Sequence, residues 1–137
     1  MNYEEELVTN RIGRKFWIYK DDTFYQQRIA QGGPYQQHNL RRIRNLSPNA
    51  RTILDIGMNI GMNTIEYATW AQKVVGFEPT PQTYNMAVKN IELAKQNEEL
   101  KKGWYPIDNE HWASSKIVAD VETYQCGIGD KEGSFKL

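Results

Sequence analysis

The chain has 137 residues, 39% hydrophobic and 25% charged, with seventeen basic side chains balanced by seventeen acidic ones. That length suits one folded unit with a single core, and a net charge of zero provides no global field to draw in nucleic acid or an anionic membrane surface. One cysteine, Cys126, cannot close an internal disulfide and lacks zinc-site spacing, and no stretch approaches the ~18 apolar residues of a membrane helix, so a cytoplasmic protein without a metal is expected.

The opening MNYEEELVTN is acidic and has no apolar run, which excludes a secretory signal there. RKFWIYKDDTFY, from Arg14 to Tyr25, predicts two short strands around a turn at Asp21 and Asp22. Gly32, Gly33 and Pro34 then break the chain. A helix is expected over about 36–46, with Leu40, Ile43 and Leu46 on one face and the arginines of NLRRIRN in solvent. TILDI, Thr52 to Ile56, predicts a strand, and a helix over 61–71 follows, directing Ile65, Ala68 and Trp70 inward. KVVGFE, Lys73 to Glu78, predicts a second strand. Beyond it Thr80 can cap a helix that Pro81 begins, with Tyr84, Ala87, Val88, Ile91 and Ala94 as its apolar stripe. Residues 97–120, including Trp104 and Trp112, read as an insertion. A third strand is expected over Val121 to Cys126, with Cys126 buried in it. GDKEG then turns, and SFKL begins another strand.

Strands alternating with helices predict an α/β fold with a mainly parallel sheet, its strands laid side by side outward from the middle. Residues 1–50 form a lead-in to it. In such a sheet, ligands bind beyond the carboxyl ends of the strands. DIGMNIG, Asp55 to Gly61, falls at one such end. Gly57 and Gly61 allow a turn and a close backbone approach, and the helix that follows offers unpaired N–H groups to an anion. Glu78 ends the next strand, roughly twenty residues on, where an acid can accept hydrogen bonds from ribose hydroxyls.

A dinucleotide loop is G-x-G-x-x-G, whereas the spacing here is D-x-G-x-x-x-G, and Asp55 would repel a pyrophosphate. S-adenosylmethionine carries an ammonium, a sulfonium, a carboxylate and an adenosine, with no phosphate. Asp55 near its cationic groups, N–H groups near its carboxylate and Glu78 on its ribose suit it.

TILDIGMNIGMNT, VVGFEPTPQTYNMAVKNIEL and CGIGDKEGSFKL together resemble successive blocks of FkbM-type S-adenosylmethionine-dependent methyltransferases, over about residues 52–137 with the 97–120 insertion between. The resemblance implies a Rossmann-like methyltransferase fold. Asp55, Gly57, Asn59, Gly61 and Thr64 match the cofactor loop, Glu78 the ribose acid, and Gly127 and Ile128 the strand end that passes the adenine. It further implies O-methylation of a hydroxyl on a sugar, glycan or related small molecule. No general base is identified. His38 and His111 are expected at the surface or in loops, Trp104 and Trp112 to pack within the insertion. Tyr35, Gln36 and Gln37 follow the Gly-Gly-Pro break and read as an ordinary loop, with a reach over the cofactor as the alternative.

Family members continue past the G-D-x-x-G turn into further strands, one bearing a K-x-D-x-E-G block, and this sequence stops at Leu137. The sheet is thus expected to look truncated after its third core strand, leaving TILDI as an apolar edge. Two arrangements satisfy that expectation: a second polypeptide supplying the missing strands, or a fragment that binds the cofactor weakly or serves only as a partner subunit.

Overall fold

The computed structural model describes residues 4–10, 13–30, 35–96, 116–134 and 136. An antiparallel hairpin opens the fold, β1 (Glu5–Thr9) against β2 (Lys15–Tyr19), with Leu7 opposite Trp17. Two helices follow, α1 (Thr23–Ala30) and α2 (Gln37–Leu46). The chain then alternates through β3 (Thr52–Ile56), α3 (Met62–Tyr67), β4 (Lys73–Phe77), α4 (Pro81–Gln96) and β5 (Asp120–Tyr124). The second sheet is parallel, in the order β3-β4-β5, as the alternation predicts. Asp55 lies level with Gly76, and Gly76 with Thr123.

Period-two alternation divides this sheet into unlike faces. Ile53, Val74 and Val121 pack with Ala68, Ala71 and Ala119 toward the helices. The opposite face carries Leu54 and Ile56, 59% and 61% exposed, with the Phe77 and Tyr124 rings stacked at 5.7 Å. Among the described residues only one face is covered, and β3 has a free edge, as the sequence led us to expect.

The hairpin and α1 belong to the main core. Phe16, Ile18, Tyr25 and Ile29 join Met58, Ile60, Met62 and Ile65 and the α4 residues Met86, Ala87, Ile91 and Ala94 in one buried cluster. Asn90 sits inside it with no exposure. Its Oδ1 accepts the Trp17 N–H at 2.6 Å, and its Nδ2 donates to the carbonyls of Trp17 and Ile60, both at 3.0 Å. A second buried link joins Arg14, beside the hairpin turn, to Glu66 of α3: Arg14 Nε lies 2.6 Å from Glu66 Oε1, with both side chains 1% exposed.

Several expectations are corrected. Thr23 to Tyr25 begin α1 and form no strand, because Asp22 Oδ1 accepts the Tyr25 N–H at 3.2 Å and caps a helix there. The partner of β2 is β1, in the acidic opening that carries no apolar run. The helix after the glycine loop regularises only over Met62–Tyr67. Thr69 Oγ1 donates to the Glu66 carbonyl at 2.7 Å, and the chain reaches Ala71 in hydrogen-bonded turns. Leu46 is exposed, as is Cys126, which lies past the end of β5. Of the expected α4 stripe Ala87, Ile91 and Ala94 are buried and Tyr84 packs half-buried against the core, while Val88 is half-buried and Met86 and Asn90 complete the buried face. Pro81 does begin α4, with the Thr80 carbonyl accepting from Tyr84 N–H at 2.8 Å. Gly32, Gly33, Pro34 and residues 97–115, with Trp104, His111 and Trp112, lie outside the described residues. So do Phe135 and Leu137 of the SFKL strand.

The buried pair yields a stability prediction. Removing one partner leaves an uncompensated buried charge, so Arg14→Met alone should cost about 3–5 kcal/mol in urea denaturation. The double variant Arg14→Met with Glu66→Leu should recover most of that loss. A double variant no more stable than the single one would show that the charges do not act as a pair.

Candidate functional site

The carboxyl ends of β3 and β4 are joined by one tight loop. Past Ile56 the chain turns through Gly57 (φ +79°), Asn59 (φ +53°) and Gly61 (φ +88°), three left-handed residues within five. The N–H groups of Gly57 and Met58 both donate to the Phe77 carbonyl at 2.9 Å, and Gly61 N–H closes a turn on the Met58 carbonyl at 2.9 Å. Gly61 is set by its backbone conformation, with α4 at ordinary contact distance. Its φ disfavours any L side chain, and a Cβ there would meet the Ala87 backbone oxygen at 3.4 Å, where α4 crosses the loop. Gly57 has open space around it, and only its φ calls for glycine.

Glu78 fastens the loop to β4. It is 8% exposed; its Oε2 accepts the Asn59 N–H at 3.1 Å and its Oε1 the Thr80 N–H at 3.0 Å. Asp55, half-buried at the end of β3, accepts the Thr64 hydroxyl at 2.5 Å through Oδ2. Burial pushes its carboxyl above the usual carboxylate range, and the Thr64 hydrogen bond pulls it partly back. A nearby cation would act in the same direction as Thr64, favouring the charged form.

Beneath the loop is a hollow of about 230 Å³ lined by Tyr25, Tyr35, Gln36, Asp55, Gly57, Met58, Asn59, Ile60, Met62 and Asn63. Tyr25 also stands near Glu78: burial first, then the charges of Asp22 and Glu78 and the Tyr35 hydroxyl, push the Tyr25 hydroxyl up. A second hollow, about 500 Å³, lies beside Pro79 and is lined by the chain from Gln125 to Ser134. Glu78 lines neither hollow: its Oε2 holds Asn59 of the first, and its chain neighbour Pro79 belongs to the second.

The eight residues expected from the sequence therefore divide by position. Asp55, Gly57 and Asn59 line the first hollow. Gly61 and Thr64 support it from behind, Thr64 being fully buried with its hydroxyl on Asp55. Glu78 lines neither hollow but bonds to Asn59 of the first, and Gly127 and Ile128 line the second, as does Cys126. Tyr35 and Gln36 reach the first hollow; Gln37 and the exposed His38 are not among its lining residues.

Sequence reasoning missed Tyr25, Asn63 and Asn90. Tyr25 was hidden by the strand expected over its segment, and the Asp22-x-x-Tyr25 capping spacing was the signal that could have revealed it. Nothing local in the sequence marks Asn63 or Asn90. In comparisons with family models and with curated proteins, nothing matches the chain. Among the described residues no cluster of His, Cys, Asp or Glu could hold a metal ion, and no helix is long and apolar enough to cross a membrane.

Both glycines are called for by their left-handed backbone. Gly57→Ala and Gly61→Ala should each cost about 1–2 kcal/mol, the penalty of a left-handed L residue, because a Cβ at Gly61 would meet Ala87 only at ordinary contact distance. A markedly larger loss for Gly61→Ala in paired denaturation curves would mean that α4 presses on the loop.

Proposed function

We propose that this chain forms the cofactor-binding part of an S-adenosylmethionine-dependent methyltransferase similar to the FkbM type, with a Rossmann-like fold, acting on a hydroxyl of a sugar, glycan or related small molecule. The observation that carries the reading is the hydrogen bond from Asn59 N–H to Glu78 Oε2 at 3.1 Å. It draws an acid-and-glycine loop and a strand-end carboxylate, distant in sequence, together, with Asn59 lining one hollow and Pro79, next to Glu78, lining the other.

An extended nucleoside with an amino-acid tail fits this order. The tail enters the hollow beside Asp55, the ribose lies over Glu78, and the adenine lies by Gly127 and Ile128. Each Glu78 oxygen accepts one backbone N–H and keeps acceptor capacity for a ribose hydroxyl. Such a cofactor would be held by Asp55, Glu78, Gly127 and Ile128 and would supply a sulfonium-activated methyl group for transfer to a hydroxyl, its C–S bond giving way to a C–O bond with S-adenosylhomocysteine and one proton as the other products. The part of the chain's own residues is to orient the donor. The exposed free thiol of Cys126 accords with a reducing, cytoplasmic setting.

A second reading is favoured by the bare sheet face. Leu54, Ile56 and Tyr124 are exposed on it, and β3 offers an unpaired edge among the described residues. Parallel sheets are ordinarily covered on both faces. In this reading the chain binds cofactor weakly or acts only as a partner subunit, and a second polypeptide adds strands at β3.

Two measurements test these readings. Titration calorimetry should show S-adenosylhomocysteine binding in preference to NAD, with Glu78→Gln weakening it roughly tenfold. Tighter binding of NAD, or no adenosyl ligand bound, would overturn the methyl-donor reading. Light scattering at micromolar protein should show self-association through the bare face; a cooperatively folding monomer would remove the need for a second polypeptide.

A further inference from the structure

The lead-in carries a charge bias that the chain as a whole conceals. Residues 23–54 contain five arginines, Arg28, Arg41, Arg42, Arg44 and Arg51, and no lysine, aspartate or glutamate, in a chain of zero net charge. On α1 this bias meets an aromatic surface. Phe24 is 46% exposed, and its ring stands edge to face with Tyr25 at 5.2 Å and with Tyr35 at 6.0 Å. The exposed Arg28, one helical turn on, sets its guanidinium 5.3 Å from the centre of the Phe24 ring. Among the described residues no carboxylate pairs with Arg28, which leaves its N–H donors for a ligand. Tyr35, at the other end of this corner, lines the first hollow together with Asp55.

Exposed aromatic rings at the rim of a hollow offer an apolar surface to the C–H face of a sugar, and a guanidinium stacked on such a ring is held ready for a two-point contact with a carboxylate or phosphate. A neutral sugar has no use for the arginine, and a free anion has no use for the rings. We infer that the Phe24–Tyr35 corner and Arg28 form the acceptor subsite, and that the acceptor is an anionic sugar, a ring bearing a carboxylate or a phosphate. The inference rests on the methyl-donor reading and narrows its substrate class. With the donor's tail in the hollow that Tyr35 lines, a ring on this corner lies next to the donor. Helix α2 starts one residue past Gln36 of the same lining, and Arg41, Arg42 and Arg44 prolong the positive field along it.

Ligand-observed NMR on the full chain, with S-adenosylhomocysteine present, tests this by comparing glucuronate and glucose 6-phosphate with glucose, acetate and inorganic phosphate. At low salt one or both anionic sugars should bind about tenfold more tightly than glucose or either free anion, the scale of a hydrogen bond to a charged group. The tighter of the two identifies the acid recognised. Arg28→Gln should erase the preference over glucose and leave glucose itself unchanged. Phe24→Leu should bring the anionic sugars toward the free anions, and Phe24→Tyr, which keeps a ring, should preserve them. Both side chains are exposed, so the core is untouched by these changes. Glucose or the free anions binding as tightly as both anionic sugars would overturn the inference alone, as would an Arg28→Gln chain with the preference intact. If calorimetry shows no adenosyl ligand bound, the methyl-donor reading and the acceptor role fall together, whichever sugar binds.

Discussion

The side-chain amide of Asn90 is the point at which hairpin, long helix and glycine loop are held together. It pairs with the N–H and carbonyl of Trp17 much as a neighbouring strand would, so α4 takes part in the hydrogen bonding of β2. Its remaining donor goes to Ile60, in the middle of the loop whose left-handed turns shape the first hollow. The Asn90 side chain itself is fully buried, where an unpaired polar group costs about 1–3 kcal/mol. The hairpin therefore has one register against α4, and the loop has one height above it. Lys89 reinforces the same junction from outside, stacking over the Trp17 ring at 3.9 Å and pairing with Glu5.

From that junction the loop is held on each of its sides. Phe77 takes the Gly57 and Met58 amides, Glu78 takes the Asn59 amide, Asn90 donates to the Ile60 carbonyl, and Gly61 lies against Ala87. A backbone with this many partners does not need to reorganise when a ligand arrives, and preorganisation of this kind lowers the entropic cost of binding. It also gives Glu78 two tasks. The carboxylate that the sequence recommends as a ribose acceptor is already a structural clamp, and the two uses are compatible only because each oxygen has more than one lone pair.

The central alternation was legible because each element there is marked locally. TILDI and KVVGF are short apolar runs, and Thr80-Pro81 announces a helix. Gly57, Gly61 and Glu78 were legible as site residues because a loop between strand and helix constrains residue type by backbone geometry. The hairpin was half hidden: β1 alternates exposed and half-buried positions, and its acidic residues mask the strand period. Thr23 to Tyr25 have strand-favouring side chains, and one capping carboxylate overrides that preference. Asn63 and Asn90 owe their importance to partners 27 to 73 positions away, and no window along the chain contains both ends of such a contact.

The edge beside the two hollows is built from contacts among described residues that also hold the fold: the clamp at Glu78, the Thr64–Asp55 bond, the Tyr25–Tyr35 corner and Asn90 beneath them. The far face of the sheet draws little on those contacts, because period-two alternation sends Leu54 and Ile56 away from the helices while Ile53 and Asp55 point toward them. A cover laid on Leu54, Ile56 and Tyr124 would add buried apolar area, at roughly 25 cal/mol per Å², without touching a group that lines either hollow. The chemistry of the loop and the need of the sheet for a second layer are thus independent. A strand partner at β3 would act on the stability of the fold and leave the groups that line the two hollows as they are.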